Sequence, residues 1–397
     1  MRKAAITPVF TLLTLLALSV TACGGGGGGD SEQASRPPAE LSLVPADGAK
    51  DVKPDQPLTA RVNNGALKAL TVTGPDGKPV EGTFEDGAGG ADGADGAFTP
   101  KDGLAVDTEY KVSATTASPD GKETTSASSF RTLAPSEGQT ETVTVLPSAK
   151  TTVGVGQPLS LTFDHKIKNK AGIERRLKVT TNNGTEGSWG WLTETLTGKD
   201  RVDWRPKEYW KPGTQVTLEA PLSGVDTGSG RYLTRSYSTS ATIGRSQIAK
   251  VDITAHELTL ERDGRVVKSL PITAGDPAKT PTWSGKMLLM AKEGRIKMTA
   301  GSVGLTGYDQ WVDKSMRMTV SGTFAHQAEW AESYIGSANR SHGCIGMKTA
   351  DATWFYAQAQ IGDVFDVTGG KETVSAANGF GEWNLSWEQW QKHSALK

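Results

Sequence analysis

Short alternating runs, punctuated by tight-turn dipeptides, recur from Leu41 to about Ile243, and they constrain the fold more than any other feature of the chain. Leu58-Thr59-Ala60-Arg61-Val62, Leu70-Thr71-Val72 and Glu109-Tyr110-Lys111-Val112 place apolar side chains at or near every second position, the period of a half-buried strand. Asp76-Gly77, Asp102-Gly103 and Asp120-Gly121 supply residues that tolerate the positive φ of hairpin turns. The same grammar resumes in Thr142-Val143-Thr144-Val145-Leu146, Pro158 to Phe163 and Gln215-Val216-Thr217-Leu218, beyond a Pro135-Ser136-Glu137-Gly138 hinge.

The fold class is therefore mainly β: two immunoglobulin-like sandwiches over residues 41–134 and 139–245, without the cysteine pair that antibody domains use. Trp189, Trp191, Trp204 and Trp210 read as the core and corner packing of the second sandwich, and both units read as spacers. The Gly/Ala/Asp tract from Glu85 to Ala97 lacks the spacing and terminal Glu of a calcium loop and reads as a mobile loop. From residue 246 to 371 the pattern predicts a third, β-rich domain. It opens on a hairpin through His256 to Glu261, Asp263-Gly264 and Val266 to Ile272, with further strands at Met287 to Met290 and Met316 to Val320. Gly301 to Lys314 reads as a Gly-rich flap, Thr349 as the cap of a short helix ended by Gly362, and Val364 to Val367 as a closing strand.

The first 23 residues carry Arg2 and Lys3, an apolar run from about Val9 to Val20, and a small-residue junction at Thr21-Ala22-Cys23. That is the form of a secretory signal rather than a spanning helix, and Val20-Thr21-Ala22-Cys23 resembles a lipobox, which makes Cys23 a lipidation candidate. Residues 24–40, with six consecutive glycines, cannot bury a core and read as a tether with a reach of roughly 25 Å. The expectation is an extracytoplasmic protein held at the membrane by a lipid anchor. Lys plus Arg total 43 against 44 Asp plus Glu, so the near-zero balance argues against nucleic acid as a partner. With Cys23 and Cys344 the only cysteines, no structural disulfide is expected, and no His, Cys and acid cluster has metal-ligand spacing.

Cys344 is where a thiol and imidazoles converge, in Ser341-His342-Gly343-Cys344-Ile345, with His326 upstream. A thiol becomes a nucleophile when a base removes its proton, and either His326 or His342 could do so. Gly343 lets the backbone turn tightly or approach a substrate, so that main-chain amides there can hold an oxyanion. By itself, a cysteine near a histidine is more often an inert packed thiol.

The surroundings carry more. Gly322-Thr323-Phe324-Ala325-His326, Trp330, Asn339 and Ser341-His342-Gly343-Cys344, followed by Trp354-Phe355-Tyr356 and Gly362-Asp363-Val364, resemble the catalytic motif of the L,D-transpeptidases, the YkuD-like peptidoglycan cross-linking enzymes, in their multi-domain actinobacterial lipoprotein form. That resemblance implies Cys344 as nucleophile, His326 as its base, the Gln327 carbonyl as the orienter of that base, and His342 and Gly343 shaping the oxyanion site. It implies substrate contacts from Tyr308 in the flap, Trp330, Asn339 and Ser341. It implies peptidoglycan stem peptides, donor and acceptor, as partners, acylation by carbapenems, and no cofactor. The chain departs from the family at Gly346, where members carry Arg or Asn, and at Gln327-Ala328-Glu329. An L,D-carboxypeptidase that uses water, and a non-catalytic wall-binding lipoprotein, remain as alternatives.

In the tail, residues 372–397, Phe380, Trp383, Leu385, Trp387 and Trp390 would form a large exposed patch if left free, so the segment is expected to pack on the body. The rival is a membrane-interface anchor.

Overall fold

Alternation becomes burial strand by strand. In Leu58–Asn63, Leu58, Ala60 and Val62 turn inward while Thr59 and Arg61 face solvent, and this strand pairs between Glu40–Val44 and Ala94–Pro100. The computed structural model describes residues 37–86, 94–299, 301 and 309–397, so Cys23 and Tyr308 lie outside the described residues. Ala94–Pro100 also pairs with Gly82–Asp86, which places the end of the Gly/Ala/Asp tract in a strand rather than a loop. A second sheet, in the order Ala49–Val52, Glu123–Thr132, Glu109–Ala117, Ala66–Thr73, closes the sandwich over Val72, Tyr110, Val112 and Phe130.

After a 3₁₀ turn at Glu137–Gln139, two more four-stranded sheets stack over Leu161, Phe163, Val202 and Leu218. Trp191, Trp204 and Trp210 lie in that core, and the indole nitrogens of two of them are satisfied. Trp191 Nε1 donates to Glu174 at 2.9 Å and Trp210 Nε1 to the Gln157 carbonyl at 2.7 Å.

The third domain is one nine-stranded sheet. Its order is Gly285–Leu288, Val364–Thr368, Gln247–Asp252, Glu257–Arg262, Arg265–Thr273, Ile345–Met347, Phe324–Gln327, Asp309–Arg317, Ala291–Thr299. The flap reading needs correction here. Residues 309–314 belong to a strand paired along its length with Ala291–Thr299, because Val312 is buried and supplies an inward position that the neighbouring glycines masked in the sequence. The helix Thr349–Gln358 covers the sheet through Ala352 and Phe355. Thr349 is its first helical residue, not its cap. The cap position falls on Lys348, which makes no side-chain capping bond, and Glu332 Oε1 accepts from Thr349 N at 3.4 Å. The helix stops at Gln358, short of Gly362.

Residues Pro38–Lys397 form one compact unit. The second sandwich and the nine-stranded sheet share a core, since Leu288 and Val364 pack with Val155 and Leu159. Gly154 N donates to the Ile361 carbonyl at 2.7 Å, and a Cβ at Gly154 would stand 2.3 Å from the Gly362 carbonyl carbon, so this junction tolerates only glycine. The tail spans the same junction. Trp390 is fully buried against Gly190, Trp383 Nε1 donates to the Gly156 carbonyl at 2.8 Å, and Asn384 bonds both main-chain groups of Lys286 on the edge strand of the nine-stranded sheet. Among the described residues no helix is long and apolar enough to cross a membrane.

Candidate active site

Two short strands, Phe324–Gln327 and Ile345–Met347, lie side by side in parallel, with His326 opposite Gly346. Side chains two residues apart share a face, so Cys344, two residues before Gly346, projects to the same side as His326. Both line one cleft of about 290 Å³, together with Trp330, Tyr334, Ser341 and His342.

The imidazole of His326 is buried, and its Nδ1 lies 2.6 Å from the Gln327 carbonyl. A carbonyl only accepts, so Nδ1 carries the hydrogen and the lone pair is left on Nε2. Burial lowers the pKa of this histidine from the ordinary 6.5, partly opposed by that hydrogen bond. Trp330 stacks on it with ring centroids 5.9 Å apart while keeping 45% of its own surface exposed, forming one wall of the cleft. Burial pushes the Cys344 thiol up to about 11, against the opposing pull of the Phe324 amide and the Arg317 charge. Its Sγ points at the Gly322 carbonyl, 3.8 Å away. Both shifts favour the uncharged forms, thiol and imidazole.

The loop that carries Cys344 is braced from within. Ser341 Oγ donates to the Cys344 carbonyl at 2.6 Å and accepts from Gly343 N at 3.2 Å, and Thr282 donates to the Gly343 carbonyl at 3.0 Å. Gly343 has φ +107°, a conformation that side-chain-bearing residues rarely adopt. With the Gly343 amide engaged by Ser341, the amide of Cys344 is left without a protein acceptor among the described residues and is the donor available to an oxyanion.

Four substrate contacts were expected. Trp330 lines the cleft, and Ser341 lines it with its single proton committed to Cys344. Asn339 does something else. Its Oδ1 accepts from Ala274 N at 2.8 Å and meets His256 Nδ1 at 3.0 Å, while its Nδ2 donates to the Ile253 carbonyl at 2.8 Å. These bonds fasten the Cys344 loop to the central strands, and they give His256 a partner that spacing alone did not reveal. Tyr308 lies outside the described residues. Sequence reasoning missed Tyr334, Arg340 and Thr273, which also line the cleft. Thr273 is distant in sequence and arrives through its strand pairing with Gly346, whereas Tyr334 and Arg340 lie between His326 and Cys344, where sequence alone does not say which side chains face the cleft. Gly346 adds no side chain to the floor, and a Cβ there would approach Thr273 Cγ2 to 2.9 Å. Among the described residues no group of three or more His, Cys, Asp or Glu side chains is arranged to hold a metal ion.

Residues 246–367 match the L,D-transpeptidase catalytic domain, and residues 49–226 match a bacterial Ig domain. L,D-transpeptidase 2 of Mycobacterium tuberculosis is 32% identical over 364 residues, which cover 90% of this chain and 85% of that protein. L,D-transpeptidase 5 of the same species is 31% identical over 381 residues, covering 95% and 82%. A solved L,D-transpeptidase from Mycobacterium smegmatis is 28% identical, covering 58% of this chain and 99% of that one with a TM-score of 0.47.

Proposed function

The chain belongs to the L,D-transpeptidase family, and from that premise we propose that it cross-links peptidoglycan stem peptides through an acyl-enzyme on Cys344. The observation that supports this reading most directly is the parallel pairing that sets His326 and Cys344 on one face of one cleft, with Nδ1 of the histidine tied to the Gln327 carbonyl.

As Sγ attacks the carbonyl after the L-centre of diaminopimelate in a donor tetrapeptide stem, its proton moves to His326 Nε2 and the S–C bond forms. The negative oxygen is received by the Cys344 amide. Collapse breaks the C–N bond to the terminal D-alanine, whose amine takes the proton from Nε2. The side-chain amine of an acceptor stem then attacks the thioester, gives its proton to His326, and the departing sulfur recovers it as a thiol. Trp330 shields the imidazole from one side, which favours an oriented amine over water.

This reading is tested by incubating the full chain with a defined tetrapeptide donor and an amine acceptor across a pH series, with mass spectrometry of products and of intact protein. The proton acceptor works only while unprotonated, and its folded-state pKa is lowered. Turnover is therefore expected to hold at neutral pH and to fall about tenfold per unit only below pH 6.5. An acyl adduct of donor mass minus D-alanine should appear on Cys344. Absence of adduct and product across the series, or an acid limb centred above pH 7, overturns the assignment of the pair.

The anchoring of the chain is part of the same proposal, and it rests on Val20-Thr21-Ala22-Cys23 followed by the glycine-rich tether. A lipidated Cys23 places the enzyme outside the cytoplasm, facing the wall. Cys23→Ser is expected to abolish palmitate labelling and to shift the mature protein from the detergent phase to the aqueous phase. Unchanged labelling and partitioning would mean that Cys23 carries no lipid.

A further inference from the structure

We infer that Arg340 makes the donor side of the cleft a carboxylate-binding subsite, so that the enzyme selects stem peptides carrying a negative charge beside the attacked carbonyl. The inference rests on the acyl-transfer reading of Cys344 and deepens it by naming a feature of the substrate.

Among the described residues that line the cleft with Cys344 and His326, Arg340 is the one permanently charged side chain, and none is acidic. The nearby acids are engaged elsewhere: Glu329 accepts from Gln327 Nε2 at 3.3 Å, and Glu332 accepts from Thr349 N. The Arg340 guanidinium lies over the ring of Tyr334 at 5.3 Å, and no carboxylate pairs with it among the described residues. A cation left with an aromatic face and no counter-ion keeps its in-plane N–H donors available, and a planar guanidinium matches a carboxylate with two parallel hydrogen bonds.

The main chain beneath it is held. Arg340 N donates to Thr273 Oγ1 at 3.3 Å, while its neighbours Asn339 and Ser341 bond to the two main-chain groups of Ala274. Tyr334 follows the turn Glu329–Ala331, whose Trp330 stacks on His326, so the ring under the cation and the ring on the base belong to one local segment. Gly346, opposite His326, brings no side chain that would compete for the space between them.

A tetrapeptide donor offers two such carboxylates, one on the side chain of the attacked residue and one on the terminal residue that leaves. Four synthetic donors separate them, with each carboxylate present either as the acid or as the primary amide. Initial rates of terminal-residue release give kcat/KM for the full chain, for Arg340→Gln and for Arg340→Lys. Charge-assisted bonds of this kind predict that the wild type prefers the acid over the amide at one of the two positions by about tenfold or more. Arg340→Gln brings that ratio to within about threefold of one, and Arg340→Lys recovers part of it, which a folding defect would not do. If the wild type turns over all four donors with the same acid-to-amide ratios as Arg340→Gln, the subsite is refuted while the acyl-transfer reading stands. If no donor is turned over and no adduct forms on Cys344, both fail.

Discussion

On the proposed acyl-enzyme mechanism, Cys344→Ala is expected to abolish donor turnover, with a loss of at least about 10⁴-fold, because a nucleophile and its base act as a unit and what remains without them is only binding and oxyanion stabilisation. Intact-mass measurement should show neither a donor adduct nor the single drug equivalent that a carbapenem is expected to add to the wild type. The fold should survive the change. Cys344 is only half-buried, its sulfur makes one long contact with the Gly322 carbonyl, and the loop that carries it is fixed by Ser341, Thr282 and Asn339 rather than by the thiol. A midpoint of thermal unfolding within about 3 °C of the wild type, with turnover lost, separates chemistry from stability. Turnover within tenfold of the wild type would remove Cys344 from the mechanism.

Much of this site was legible before the structure, and the part that was not has a physical cause. Cys344, His326 and the Gln327 carbonyl fall within one recognisable spaced motif, and the hydrogen bond at 2.6 Å orients its histidine. The alternating strands were equally plain, since a period of two survives in the sequence wherever one face is buried, as in Gln215–Ala220. Pairing across long separations is different. The strands that bring His326 and Cys344 together have only 4 and 3 residues, too short to show periodicity, and their parallel register comes from tertiary packing. Thr273 reaches the cleft only through such a pairing, and for Tyr334 and Arg340, which lie between His326 and Cys344, the backbone path through the intervening turn decides that their side chains face it. Asn339 misled for a related reason, because a polar residue beside a nucleophile looks the same in sequence whether it faces substrate or ties the loop to Ile253 and Ala274.

The aromatic tail sets the second large effect. Trp390→Ala should destabilise the chain by about 3–5 kcal/mol, the usual range for removing a fully buried Trp side chain. Trp390 has no exposed surface, its ring fills the space that Gly190 leaves, and its Nε1 donates to the Ser188 carbonyl at 3.0 Å. Around it, the Arg205 guanidinium stands 4.6 Å from the centroid of Trp383, 5.6 Å from Trp387 and 5.3 Å from Trp390, and its donors satisfy the Glu382 and Leu385 carbonyls. Arg201 reaches the Gly379 carbonyl at 2.7 Å beside Asp203, and burial together with the Asp203 charge raises the pKa of Glu382 well above the ordinary carboxylate range. The tail therefore closes a polar cluster that would otherwise face water on the second sandwich, and Asn384 carries the same segment to the edge strand of the catalytic sheet. Losing Trp390 should lower the thermal midpoint by on the order of 10 °C, because the second sandwich and the catalytic sheet unfold as neighbours sharing one core. Trp387→Ala, at a half-buried position, should cost about 1 kcal/mol or less. Should Trp390→Ala keep its midpoint within about 2 °C and lose binding to lipid vesicles instead, the tail serves a membrane surface and its packing on the sandwich contributes little.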